Sequence, residues 1–176
     1  RGDVAGAFLH PLAVALRARG VDVRVVTPSD VGKGGRGTLD GVPVHRVRYA
    51  AADREQYAQS GKLATATKSP QGLKALAGMI RALRAGAREE LDGATRGVVH
   101  AHWWFPGGLV GTWVAGLGRL PLVTTMHGTD VRLARAKSFA RPLFRRVMHQ
   151  SRAVTTVSRW LAAEVHDMVP DVTPLV

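Results

Sequence analysis

The chain has 176 residues, 45% of them hydrophobic, and carries a formal charge of +12 from 25 Lys+Arg against 13 Asp+Glu. It has no cysteine, which excludes disulfides and thiolate metal sites. No apolar run approaches the roughly 20 residues that a membrane span requires. The charge, carried mostly by arginine, points to an anionic partner or to compositional bias, and no RNA- or DNA-binding pattern with interleaved aromatics accompanies it.

The first residues, Gly2 to Gly6, read as a glycine-containing turn that opens a helix, with Leu9, Leu12, Ala13 and Leu16 at helical spacing and Gly20 at its end. Val21 to Thr27 reads as a buried strand. Gly32 to Gly37 reads as a glycine-rich surface loop. Val42 to Tyr49 alternates, and Pro43 predicts an edge position for it, because proline cannot donate to a ladder. Ala50 to Pro70 has no clear period. Gly72 to Leu91 is predicted as an amphipathic helix.

Val98 to Ala101 is predicted as a strand, Gly107 to Leu117 as a buried helix and Leu122 to Met126 as a strand. Ala136 to His149 reads as a basic helix and Ala153 to Val157 as a strand. Ser158 is set to cap a helix from Arg159 to His166. Strands alternating with helices predict an α/β fold with a doubly wound parallel sheet, in one domain over residues 1–176. No strand precedes the first helix, which predicts a fragment that lacks the first strand of such a sheet.

Ligands of open α/β sheets bind beyond the carboxyl ends of the strands. Two polar clusters fall there, His100-Ala-His102-Trp103-Trp104-Phe105-Pro106-Gly107-Gly108 and His127-Gly128-Thr129-Asp130. His100 and His102 share a strand face, and with His127 they could bind a metal as in a metal-dependent hydrolase. They could equally be structural histidines held by hydrogen bonds. Trp103 and Trp104 could stack on a sugar ring or simply fill the core. Gly107 and Gly108 open a helix N-terminus where a ligand could approach the backbone. Asp130 could accept from a sugar hydroxyl, orient His127 or cap the next helix. The Gly6 turn could face a phosphate or be an ordinary tight turn. Arg132, Arg135, Lys137, Arg141, Arg145, Arg146 and Arg152 form either a solvated face or a surface for anionic lipid, worth about 1 kcal/mol per basic residue near a membrane.

These residues in this order resemble a known family. V-V-H-A-H-W-W-F-P-G-G-L followed by P-L-V-T-T-M-H-G-T-D is similar to the N-terminal, acceptor-side domain of family 4 retaining glycosyltransferases of the GT-B fold. The opening A-G-A-F-L-H-P-L-A-V-A-L-R-A-R-G-V-D-V-R-V-V-T-P and the late A-V-T-T-V-S-R-W-L fit the same pattern. The resemblance implies a Rossmann-like domain and a second, donor-binding domain with two glutamates separated by seven residues. No glutamate pair here has that spacing, so the donor domain is expected to lie outside this sequence.

By position, the resemblance implies that Gly6 approaches the donor diphosphate, that His127 contacts the donor sugar and that Asp130 shapes that pocket. His102, Trp103, Trp104, Gly107, Gly108, Gly128 and Thr129 are the remaining substrate-binding candidates. It further implies a cytoplasmic, hexosyltransferase-like enzyme that uses a nucleotide-sugar donor. Its acceptor would be a sugar, lipid or small molecule. Neither a cofactor nor a metal is implied, and the fragment alone is expected to be inactive.

Overall fold

A computed structural model describes residues 6–58, 63–67 and 69–176. Of the predicted first turn, only Gly6 lies among them. The chain forms two compact units, Arg1–Glu90 and Leu91–Val176.

In the first unit, helix α1 (Leu9–Ala18) follows Gly6, whose φ is +87° and whose carbonyl accepts from Leu9 N–H at 2.9 Å. Gly20, at φ +81°, closes the helix, and its N–H donates to Arg17 O. Strands β1 (Val25–Pro28), β2 (Gly35–Leu39) and β3 (Val42–Val47) form a sheet in the order β1-β3-β2. β1 and β3 are parallel, whereas β2 and β3 are antiparallel. Two expectations are corrected here. Much of the glycine-rich loop is strand β2, exposed along its whole length, so its order comes from pairing and not from burial. β3 is central and not an edge strand. Pro43 is tolerated there because it pairs with Thr38 on one side only, the parallel ladder with β1 beginning at Val44.

Helix α2 (Leu63–Ala66) and the long helix α3 (Pro70–Glu90) follow. α3 lies against β1 and β3, and glycine makes the fit possible. A Cβ on Gly86 would sit 2.5 Å from Val47 Cγ1, and one on Gly78 would sit 2.3 Å from the carbonyl oxygen of Tyr49.

The second unit holds a parallel sheet in the order β4-β5-β6, with β4 (Val99–His102), β5 (Leu122–Met126) and β6 (Ala153–Thr156). Helix α4 (Leu109–Gly118) links β4 to β5. Helices α5 (Thr129–Ala136) and α6 (Arg141–Gln150) link β5 to β6, and α7 (Arg159–Met168) follows β6. The predicted single basic helix from Ala136 to His149 is therefore α6 alone, preceded by a separate helix that begins at Thr129. Ser158 caps α7 as predicted, its Oγ accepting from Leu161 N–H at 3.2 Å. The core of this unit gathers Trp104, Val114, Leu122, Met126, Phe144, Val147 and Met148, none more than 2% exposed.

Candidate functional site

The carboxyl ends of β4 and β5 lie side by side, with His102 opposite Thr125 in register and Trp103 N–H donating to Thr125 O at 2.9 Å. This pairing brings the two polar clusters of the sequence together. His102 Nδ1 lies 3.1 Å from His127 Nε2, so one imidazole donates its proton to the other. The Trp103 ring packs on His127 with centroids 4.6 Å apart. His100 stacks on His102 at 4.3 Å, and its Nε2 lies 2.8 Å from Thr125 Oγ1, itself 2.6 Å from Thr155 Oγ1.

Asp130 is the anchor of this arrangement. Its side chain is buried in the first turn of α5, with 4% of the residue exposed. Oδ1 accepts from His127 N–H at 3.1 Å and from Gly128 N–H at 2.9 Å. Oδ2 accepts from Trp104 N–H at 3.2 Å, and the Asp130 carbonyl accepts from Trp104 Nε1 at 2.7 Å. One aspartate thus joins the end of β5 to the end of β4. Burial pushes its carboxyl above the ordinary carboxylate range, and the backbone N–H donors pull in the opposite direction.

The aromatic cluster divides. Trp104 is 1% exposed and meets Phe144 edge-on, so it fills the core. Trp103 is half-buried and remains beside His127. It has φ +61° and ψ +135°, a backbone conformation that a tryptophan adopts at a cost of order 1–3 kcal/mol. Gly128, at φ +103°, turns the chain between His127 and α5, and Thr129 is exposed at the helix start. The space at Gly107 is taken by the protein's own chain, since a Cβ there would meet His102 O at 2.4 Å. At Gly108 it would meet Val147 Cγ1 at 2.7 Å.

Burial, with the neighbouring imidazoles, lowers the pKa of His102 to about 3 and that of His127 to about 4. Both rings are therefore neutral near pH 7. An unfolded histidine protonates near pH 6.5, so the stability contributed by these neutral rings is complete above that value. It is lost progressively as the pH falls from about 6.5 towards 4 and then 3. The slope is expected to stay below the about 1.4 kcal/mol per pH unit and group of a fully buried site, because both rings keep some solvent contact. Urea unfolding between pH 7.5 and 4.5 measures this, and His102→Gln should flatten the dependence.

The three histidines do not converge on one point. His100 faces Thr125, while His102 and His127 face each other, and no group of three metal-ligating side chains occurs among the described residues. The metal-dependent hydrolase reading therefore finds no donor set in this arrangement. Part of the basic region is engaged within the fold. Arg135 pairs with Glu164 and Asp167, and Arg145 Nε donates to Met168 O at 3.2 Å.

A family model for a glycosyl transferase 4-like domain matches residues 5–176. No curated protein matches the chain.

Proposed function

Since the chain belongs to the glycosyl transferase 4-like family, and is thus a transferase domain acting on a sugar donor and an acceptor, we propose that it is the acceptor-side domain of a retaining enzyme. The donor is a nucleotide sugar and the acceptor a sugar, lipid or small molecule. The observation that carries this reading is the His102–Trp103–His127 cluster at the carboxyl ends of β4 and β5, held by the buried Asp130. A cluster in that position is where an open α/β sheet receives its ligand.

The neutral His127 offers a sugar hydroxyl a hydrogen bond without adding a cation to the site. Trp103 supplies a flat apolar face beside it, suited to one side of a sugar ring. Gly128 and Thr129 line the turn next to it, and Gly6 approaches the donor diphosphate. In retaining transfer the acceptor hydroxyl attacks from the side of the departing diphosphate, whose oxygen takes the acceptor's proton. The protein contributes positioning of the two substrates and electrostatic support of the leaving group. No metal is required for this.

No helix among the described residues is long and apolar enough to cross a membrane. The reading includes cytoplasmic work at the inner face of the membrane. Arg132, Lys137 and Arg146 are exposed in the basic region, and Phe139, 69% exposed, lies among them in sequence.

The test uses the full-length protein with its donor-binding domain. UDP-, GDP- and ADP-sugars are offered, and release of the nucleoside diphosphate is followed with EDTA present. One donor is expected to release it, and His127→Ala should reduce the rate by about 100-fold. Release abolished by EDTA, or unchanged in His127→Ala, would refute the proposal.

A further inference from the structure

The first unit carries an open pocket at the carboxyl end of its own parallel strands. The ends of β1 and β3 are adjacent there, Ser29 N–H donating to Val47 O at 2.9 Å. The chain leaving β3 and the face of α3 enclose an open pocket of about 440 Å³, lined by Arg48, Tyr49, Ala50, Gly78, Arg81 and neighbouring alanines. On the α3 side it is lined by small residues beside Arg81, and at Gly78 the chain after β3 comes directly against the helix.

Arg48 is held in place at one side of this pocket. Its stem lies on Gly34, where a Cβ would come within 2.3 Å of Arg48 Cδ. Its Nε donates to Glu55 Oε1 at 2.9 Å, and Glu55 is fully buried. The same carboxylate accepts from Tyr49 N–H at 2.9 Å and from Gly32 N–H at 3.0 Å, so the anchor is itself fixed. Glu55 occupies Nε. Among the described residues, only one of the terminal amino groups reaches an acceptor, Ala50 O at 3.4 Å. Arg81 enters from the α3 side and has no carboxylate or hydrogen-bond partner among the described residues. Arg48, with its Nε held, and Arg81, with no carboxylate partner among the described residues, thus both line the same open pocket.

We propose that this pocket is a binding site for the phosphate group of a small phosphorylated substrate. A phosphate monoester carries a charge of about −1.5 to −2 and three acceptor oxygens, enough to engage arginines on two walls. A carboxylate would be satisfied by one guanidinium. That this phosphate belongs to the acceptor rests on the transferase reading above, whereas the binding site itself does not.

Isothermal titration of the full chain with glucose 6-phosphate, inorganic phosphate, glucose and glucuronate tests it. Glucose 6-phosphate is expected to bind more tightly than inorganic phosphate, with glucose and glucuronate at least about tenfold weaker. Arg81→Gln, an exposed change that leaves Glu55 and its partners in place, should weaken glucose 6-phosphate about tenfold. Arg48→Gln should do the same if it folds. Inorganic phosphate binding as tightly as the sugar phosphate would make free phosphate the ligand and overturn the substrate assignment. Glucuronate binding equally well, an affinity unchanged in Arg81→Gln, or no binding of either phosphate would overturn the site. These readouts need no transfer activity, so a failed transfer assay and a failed pocket remain distinguishable.

Discussion

Trp104→Ala is expected to cost about 4 kcal/mol of unfolding free energy, within the range of large-to-small changes at fully buried aromatics. The indole is 1% exposed, meets Phe144 edge-on with centroids 5.7 Å apart and lies in the core of the second unit. Alanine removes that surface and leaves a cavity. It also strands the Asp130 carbonyl that accepts from Nε1. Trp104→Phe separates the two contributions, since it keeps an aromatic ring and loses the N–H donor. It should cost about 1–2 kcal/mol. Guanidinium unfolding followed by circular dichroism measures both. A Trp104→Ala loss below 1 kcal/mol would show that the side chain is not packed as described.

Asp130→Ala is the second large effect, about 3 kcal/mol. The substitution leaves the N–H groups of Trp104, His127 and Gly128 without their acceptor, and an orphaned buried donor costs about 1–3 kcal/mol. The sum is reduced because water can enter the space left by the carboxylate. Asp130→Asn should lie between, because its amide keeps one acceptor oxygen and turns its NH₂ towards a donor. Asp130→Ala removes the acceptor of the Trp104 backbone N–H, whereas Trp104→Ala removes the indole donor to the Asp130 backbone carbonyl, so each variant breaks a different hydrogen bond between the two residues. The consequence for function is direct. Without Asp130, the backbone of His127 and Gly128 loses its tie to β4, and the ring beside Trp103 is no longer held. Transfer should therefore fall even where the variant remains folded.

Much of the architecture was legible because it is local. The apolar run Leu122 to Met126 is β5 as predicted, the amphipathic period after Gly72 marks α3 to within two residues, and Ser158 announces its helix by its own chemistry. The position of His102 and His127 at strand ends could be read from where the apolar runs stop. β2 could not, because its Gly-Arg-Gly-Thr-Leu sequence has neither strand propensity nor a buried face, and its order comes from β3. The helix from Thr129 was missed because its polar first turn carries few apolar residues, so the period became visible only later in the chain.

The site shows the same division. The sequence by itself determined that two histidine- and glycine-bearing turns follow two parallel strands, since composition and spacing are enough to end a strand and begin a helix. Only the tertiary structure decided what those turns do to each other. It set His102 against His127, left Trp103 beside them while burying Trp104, and made Asp130 the shared acceptor of both strand ends. It also placed Arg48 on the buried Glu55 and brought Arg81 to the lining of the same pocket. The physical reason is distance along the chain. The contacts between the two clusters join residues about 25 positions apart, and their partners are chosen by the register of β4 on β5, which no local pattern encodes.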